Sequence, residues 1–130
     1  MLVLDANVVI PACTVERGFR RFGRERLVAP AIMWSEAVSS LHEAVWRGEL
    51  PALDGRNALH RLTGAPVRPV DHPELREAAW EITDELGLAK TYDAEYLALA
   101  RLLRCRLVTL DERLHRGASR LDLTVLLEGP

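Results

Sequence analysis

The chain has 130 residues, of which 48% are hydrophobic and 28% are charged. These values fit one compact domain with a single core. The formal net charge of −2 does not by itself mark a nucleic-acid binder. No apolar run approaches the roughly 20 residues that a membrane-spanning helix needs, and no basic segment followed by a long apolar stretch opens the chain. We therefore expect a single domain over residues 1–130, a cytoplasmic location and no membrane contact.

The predicted elements begin with a fully apolar strand over residues 2–4, which ends at Asp5. Such strands are typical of a parallel sheet that is covered on both faces. A helix is predicted over residues 6–12, a second strand over residues 27–28 and a long amphipathic helix over residues 31–47.

The second half of the chain continues this alternation of helices and strands. Helices are predicted over residues 52–62, 75–86 and 92–104, and Thr91 is a suitable N-cap for the last of them. Strands are predicted over residues 67–70, 107–110 and 121–127, the first at a sheet edge because it contains Pro69. Strands that alternate with helices of this length predict an α/β sandwich with a mostly parallel central sheet.

Two features have several interpretations. The cysteines, Cys13 and Cys105, lie in unrelated contexts, which favours buried thiols over a zinc site or a disulfide. Four arginines follow helical spacing, and on a helix they would form one basic stripe: Arg17, Arg20, Arg21 and Arg24. This stripe could follow an RNA backbone, bind a partner peptide or simply face solvent.

Four acidic residues fall at the boundaries of the predicted elements. Asp5 and Asp111 each follow a strand, whereas Asp93 and Glu36 lie in the first turns of helices. Each has an ordinary explanation, as a helix cap or as a charge that offsets a helix dipole. Ligands of open α/β sheets bind beyond the carboxyl ends of the strands, and carboxylates gathered there repel one another unless a cation neutralises them. Oxygen ligands without Cys or paired His indicate Mg²⁺ or Mn²⁺.

Four segments together resemble the PIN-domain nucleases and, among them, the VapC toxins of toxin–antitoxin pairs. They are, in order, residues 1–10 (MLVLDANVVI), 30–37 (PAIMWSEA), 92–100 (YDAEYLALA) and 107–114 (LVTLDERL). An Asp after an apolar strand is common, but all four segments in this order are a specific signal. The resemblance implies a PIN-like three-layer α/β/α sandwich that spans the whole chain.

The resemblance also implies the roles of individual residues. The acidic residues that match the family's catalytic quartet are Asp5, Glu36, Asp93 and Asp111. Asp5 and Asp93 would bind the metal ion, Mg²⁺ or Mn²⁺, Asp111 would support that ion or a second one, and Glu36 would orient or deprotonate the attacking water. Asn7 and Thr109 match supporting polar residues. The implied reaction is endonucleolytic hydrolysis of RNA, by a homodimer that a cognate VapB-type antitoxin inhibits.

Alternatives to this interpretation remain. A PIN-like module could have lost activity and only bind RNA or a partner, or the chain could be a housekeeping RNA-processing nuclease. Glu95 or Glu112 could replace a neighbouring acid as a ligand, and Lys90 could contact a phosphate or only solvent. A phosphorelay receiver domain is disfavoured because Ala6, not a second acid, follows Asp5. A serine hydrolase is disfavoured because the Gly-x-Ser-x-Gly motif is absent from the sequence.

Overall fold

The computed structural model describes residues 1–128. Five strands form one sheet in the order β3-β2-β1-β4-β5, and all of their pairings are parallel. The strands are β1 (Leu2–Leu4), β2 (Leu27–Ala29), β3 (Val67–Pro69), β4 (Arg106–Thr109) and β5 (Thr124–Leu126). The prediction of a mostly parallel sheet is confirmed, and β3 lies at an edge, as its proline required.

Helices cover both faces of this sheet. They are α1 (Ala6–Cys13), α2 (Ile32–Trp46), α3 (Ala52–Thr63), α4 (Leu75–Leu86), α5 (Tyr92–Leu103) and α6 (Glu112–Gly117). Helices α1, α2 and α3 pack on one another, α4 packs on α5, and α5 lies against β1 and β4. Because crossovers between parallel strands are right-handed, the two helix groups lie on opposite faces. The result is the predicted three-layer α/β/α sandwich.

Half of the residues of helix α5 are buried. Its buried residues are Ala94, Tyr96, Leu97, Ala98, Leu99 and Ala100. Tyr96 is only 1% exposed and is the largest fully buried side chain. Packing on this scale fixes α5 against β1 and β4, and so it also fixes where the first turn of α5 lies relative to the ends of those strands.

The helix that would align the four arginines in one stripe does not form. Gly18–Phe22 forms a 3₁₀ turn, entered through Arg17 in the left-handed region (φ 55°) and left through Gly23 (φ 58°). Gly18 lies against the backbone of α1 so closely that a Cβ there would overlap the carbonyl oxygen of Ala12. The four arginines therefore do not share one helical stripe.

Two smaller predictions need correction. Thr91 occupies the N-cap position of α5, but its side chain makes no capping hydrogen bond. The last strand is limited to Thr124–Leu126, because a 3₁₀ turn over Ser119–Leu121 and a left-handed Asp122 (φ 52°) precede it. Within residues 1–128, none of the helices is long and apolar enough to cross a membrane.

Candidate active site

Asp5 and Thr109 meet at the carboxyl edge of the sheet. The register pairs Leu4 of β1 with Val108 of β4, so the residues that come next, Asp5 and Thr109, lie side by side. Thr109 is fully buried and Asp5 is 7% exposed. The Thr109 hydroxyl donates a hydrogen bond of 2.9 Å to Oδ2 of Asp5, which holds the carboxylate at the end of β1.

Asn7 and the two residues that follow Thr109 complete this polar network. Asn7 lies in the first turn of α1, where its Nδ2 donates to Oγ1 of Thr109 at 3.3 Å. Its Oδ1 accepts from the backbone N–H of Leu110 at 3.0 Å, and the N–H of Asp111 donates to Oγ1 of Thr109 at 3.0 Å. The structure thus brings both predicted supporting residues to Asp5.

Asp111 and Asp93 lie at the exposed rim of the same edge. Asp111 caps α6, since its Oδ1 accepts from the N–H of Leu114 at 3.0 Å, while Oδ2 takes no part in that cap. Asp93 lies in the first turn of α5. Desolvation raises the pKa of Asp93, and the negative charge of Asp111 raises it further. Asp111 therefore caps α6, as its position after a strand suggested, and it also lies close enough to Asp93 for its charge to raise the pKa of Asp93.

Glu36 is fixed by a residue that the sequence interpretation did not include. It lies in the second turn of α2, and its Oε1 accepts a hydrogen bond of 2.5 Å from the hydroxyl of Tyr96. A signal for Tyr96 was present in the sequence. It follows Asp93 by three residues and so shares a face of the same helix.

Electrostatic interactions join the four predicted acids into one cluster. The pKa of Asp5 is raised from 3.8 to about 6, mainly by burial, with the charges of Asp93 and Glu36 also raising it and the hydrogen bond from Thr109 opposing the shift. Because Asp93 in turn responds to Asp111, all four carboxylates lie within reach of a neighbour's charge. This arrangement carries an excess of negative charge around a buried carboxylate.

The other candidate residues lie around this cluster. Desolvation raises the pKa of Glu95, Arg76 lowers it, and the charge of Glu36 raises it, so Glu95 belongs to the same acidic edge. Glu112 is exposed in the first turn of α6, and Lys90 is exposed in the loop before α5. Neither Glu112 nor Lys90 is among the charges that shift the pKa values of Asp5 and Asp93.

The donor set of this edge fits a hard divalent cation. It consists of carboxylate, hydroxyl and amide oxygens, which Mg²⁺ and Mn²⁺ prefer. In the part of the chain that the structure describes, no three acidic, histidine or cysteine side chains lie close enough to form a ready-made cage. The site is therefore an open acidic edge, at which burial and, to a lesser extent, the charges of Asp93 and Glu36 raise the pKa of Asp5.

A family model described as the PIN domain matches residues 2–119. The chain belongs to the PIN-domain family. The PIN domain is 37% identical over 128 residues to VapC ribonuclease Mb0985 of Mycobacterium bovis and to ribonuclease VapC9 of Mycobacterium tuberculosis. Each match covers 97% of this chain and 98% of the relative. The resemblance to VapC-type PIN proteins is confirmed, and this PIN domain is of the VapC type.

Solved structures share the fold. A toxin–antitoxin complex from Klebsiella pneumoniae has a chain that superposes with a TM-score of 0.69 at 17% identity, over 96% of both chains. The protein PAE2754 from Pyrobaculum aerophilum superposes with a TM-score of 0.71 at 23% identity, over 89% of this chain and 83% of its own. At these identities the likeness supports the PIN architecture alone.

Proposed function

We propose that this PIN-domain protein is a Mg²⁺- or Mn²⁺-dependent endoribonuclease that acts as the toxin of a VapBC-type pair. The observation that carries the proposal is the gathering of Asp5, Glu36, Asp93 and Asp111 at one sheet edge around a buried carboxylate. The VapC ribonucleases that match almost the whole chain support RNA as the substrate. The PIN-domain match over residues 2–119 includes all four of these residues.

Asp5 and Asp93 are the proposed metal ligands, and Asp111 supports the same ion or a second one. Asp5 is the stronger candidate, because burial makes its ionised form costly and a bound cation removes that cost. Asp93 faces it from α5 and interacts with its charge. A divalent ion at this edge would polarise a phosphoryl oxygen of RNA and lower the pKa of a bound water.

The remaining residues orient the reacting groups. Thr109 holds Oδ2 of Asp5, and Asn7 holds Thr109 from the first turn of α1. Glu36 is proposed to orient the attacking water or to take its proton, using the oxygen that Tyr96 leaves free. The proton of the water would then pass to the Glu36 carboxylate, which the Tyr96 hydroxyl already holds in place, an arrangement suited to general-base catalysis.

The proposed antitoxin contact is a groove beside α1. This groove has a volume of about 540 Å³ and lies between the end of α1, the 3₁₀ turn and the end of α3. Its apolar lining includes Val15, which is 55% exposed, and its charged lining is entirely basic: Arg17, Arg20 and Arg61. A segment that combines apolar and acidic side chains complements such a lining, and we assign that segment to a VapB-type antitoxin.

We also propose that the protein forms a homodimer. Light scattering of the purified protein tests this.

The function is tested with purified protein, RNA and a defined metal. Wild-type protein should cut RNA internally in Mg²⁺ or Mn²⁺ and should stop when EDTA is added. Glu36→Gln should fold and bind RNA but cut it poorly. Folded wild-type protein that binds RNA without cutting it in either metal would indicate an inactive binding module.

Expression in cells separates a toxin from a housekeeping enzyme. Expression of the wild-type chain should arrest growth, and co-expression of a small neighbouring gene that encodes the antitoxin should restore it. Glu36→Gln, expressed to the same level, should not arrest growth. RNA cleavage in vitro without any growth arrest would favour a housekeeping RNA-processing nuclease.

A further inference from the structure

The hydroxyl of Tyr96 connects the two helical layers of the sandwich at the acidic edge. Tyr96 lies on α5, its side chain is 1% exposed, and its Oη donates a 2.5 Å hydrogen bond to Oε1 of Glu36 on α2. The two residues are separated by 60 positions, and their helices pack on opposite faces of the sheet. A contact between the layers at this point sets the distance between α2 and the first turn of α5.

The buried neighbours of Tyr96 on its own helix are apolar. The neighbouring buried residues of α5 are Ala94, Leu97, Ala98, Leu99 and Ala100. A phenylalanine would satisfy such packing equally well, because a buried hydroxyl contributes to stability only when it is hydrogen-bonded. The hydroxyl therefore matters through its acceptor, which is Glu36.

We propose that Tyr96 is the positioning residue of Glu36, holding Oε1 so that Oε2 alone faces the attacking water. This inference rests on the proposed ribonuclease function and adds a residue to its site. If the carboxylate of Glu36 could rotate freely, either oxygen could face the water. With Oε1 held by Tyr96, only Oε2 faces it, and in one fixed orientation. Orientation of this kind acts on the turnover step more than on RNA binding.

The protonation of Tyr96 supports a donor role. Burial raises the pKa of its phenol above the ordinary value, the hydrogen bond to Glu36 and the charges of Glu36 and Asp5 raise it further, and a backbone hydrogen bond from Ala6 partly opposes them. The phenol therefore keeps its proton throughout the neutral range. A permanent neutral donor to Glu36 also stabilises that carboxylate without adding a positive charge.

The test compares Tyr96→Phe with Tyr92→Phe in RNA cleavage by the full chain with Mn²⁺. Tyr92 lies on the same helix but is 54% exposed, so its variant controls for the loss of a phenol. Tyr96→Phe should lower kcat by about 10- to 100-fold with KM for RNA within about twofold of wild type. Tyr92→Phe should retain wild-type kcat.

A double-mutant cycle with Glu36→Gln decides whether Tyr96 acts through Glu36. In the Glu36→Gln background, Tyr96→Phe should change kcat by less than about twofold, since the oriented base is already absent. Binding of Mn²⁺, measured by calorimetry on each variant, should stay within about threefold of wild type. Full additivity of the two losses, or a fall in Mn²⁺ affinity that matches the fall in kcat, would show that Tyr96 only maintains the fold of the site.

Two failures are distinguishable in this design. Wild-type protein that does not cut RNA would overturn the proposed function and this inference with it. Active wild-type protein with an equally active, folded Tyr96→Phe variant would overturn the inference alone. If Tyr96→Phe does not fold, as judged by circular dichroism, the hydroxyl is structural and the positioning role is wrong.

Discussion

The Thr109 hydroxyl donates to Oδ2 of Asp5 at 2.9 Å while accepting from Asn7 and from the backbone N–H of Asp111. Asp5, Asn7 and Asp111 come from different segments that meet at the carboxyl edge of the sheet. The buried hydroxyl of Thr109 joins all three. Because the hydroxyl has a single proton, the direction of the whole network is fixed: that proton points at Asp5. The site residue with the least solvent exposure is thus the one that orients the others.

The first prediction concerns the hydroxyl of Thr109. Thr109→Val keeps the shape of the side chain but leaves Asp5 without its donor and the N–H of Asp111 without its acceptor. Leaving such buried partners unsatisfied costs about 1–3 kcal/mol, so the urea midpoint should fall and cleavage should slow. Thr109→Ser keeps the hydroxyl and should retain most of both properties. Equal losses in the two variants would mean that the methyl group, not the network, is what matters.

The second prediction concerns pH and the metal. Burial is the main reason that the pKa of Asp5 lies at about 6, so a proton competes with the metal ion at this carboxylate below that pH. The dissociation constant for Mn²⁺ should therefore rise as the pH falls through about 6, by up to about tenfold per pH unit. Calorimetry between pH 5 and 8 measures it. A dissociation constant that does not change over this range would contradict metal binding by Asp5.

The elements around Asp5 were predictable from local patterns. The apolar strand that ends at Asp5 and the strand before Asp111 follow from short buried runs, and the acids that follow them share an edge because the strands are parallel. The partnership of Glu36 with Tyr96 was not predictable in the same way. It depends on how two helices from opposite layers approach each other, which no spacing within one helix encodes.

The 3₁₀ turn shows the opposite case, in which tertiary contact overrides a local pattern. The spacing of Arg17, Arg20, Arg21 and Arg24 suits a helix, but the chain must bring Gly18 against the backbone of Ala12 and leave through Gly23 with positive φ. Both glycines were visible in the sequence. The reason that they are needed there appears only when α1 is in place.

The third prediction tests that close approach. Gly18→Ala forces a Cβ into the carbonyl oxygen of Ala12, and backbone cannot move aside as a flexible side chain can. The variant should lose about 1–3 kcal/mol of unfolding free energy, as overpacked positions do. Gly64→Ala is the control, because a Cβ there meets nothing within 4 Å. Equal stability of both variants by urea denaturation would mean that the turn is free to shift.

The fourth prediction assigns the basic groove to the antitoxin. Arg20→Glu reverses a charge in the groove beside Val15 and should weaken antitoxin binding by about tenfold or more, with RNA cleavage by the free protein unchanged. Arg116→Glu, an exposed charge reversal on α6, controls for net charge. Calorimetry and cleavage assays are run on the same preparations. Slower cleavage with intact antitoxin binding would assign the groove to RNA instead.

Asp5→Asn gives the most direct test of the metal-dependent site, because it removes one charge and keeps an oxygen that accepts from Thr109. Because the pKa of Asp5 is higher in the folded protein than in the unfolded chain, its protonated form stabilises the fold below the pKa of the unfolded chain. This stabilisation is lost as the pH rises through about 6. Since one pKa unit corresponds to about 1.4 kcal/mol, ionised Asp5 costs on the order of 3 kcal/mol at pH 7.5. The metal-free variant should therefore unfold at a higher temperature than wild type at pH 7.5 and show no gain at pH 3.5.

The decisive measurement is RNA cleavage by this folded variant in saturating Mn²⁺ at pH 7.5, beside wild-type protein from the same purification. If the Asp5 carboxylate binds the metal, the Asp5→Asn variant should cut RNA about a thousandfold or more slowly than wild type. Its higher unfolding temperature should show at the same time that the fold is intact. Cleavage at a rate close to that of wild type, by protein shown to carry the substitution, would contradict an active site centred on Asp5.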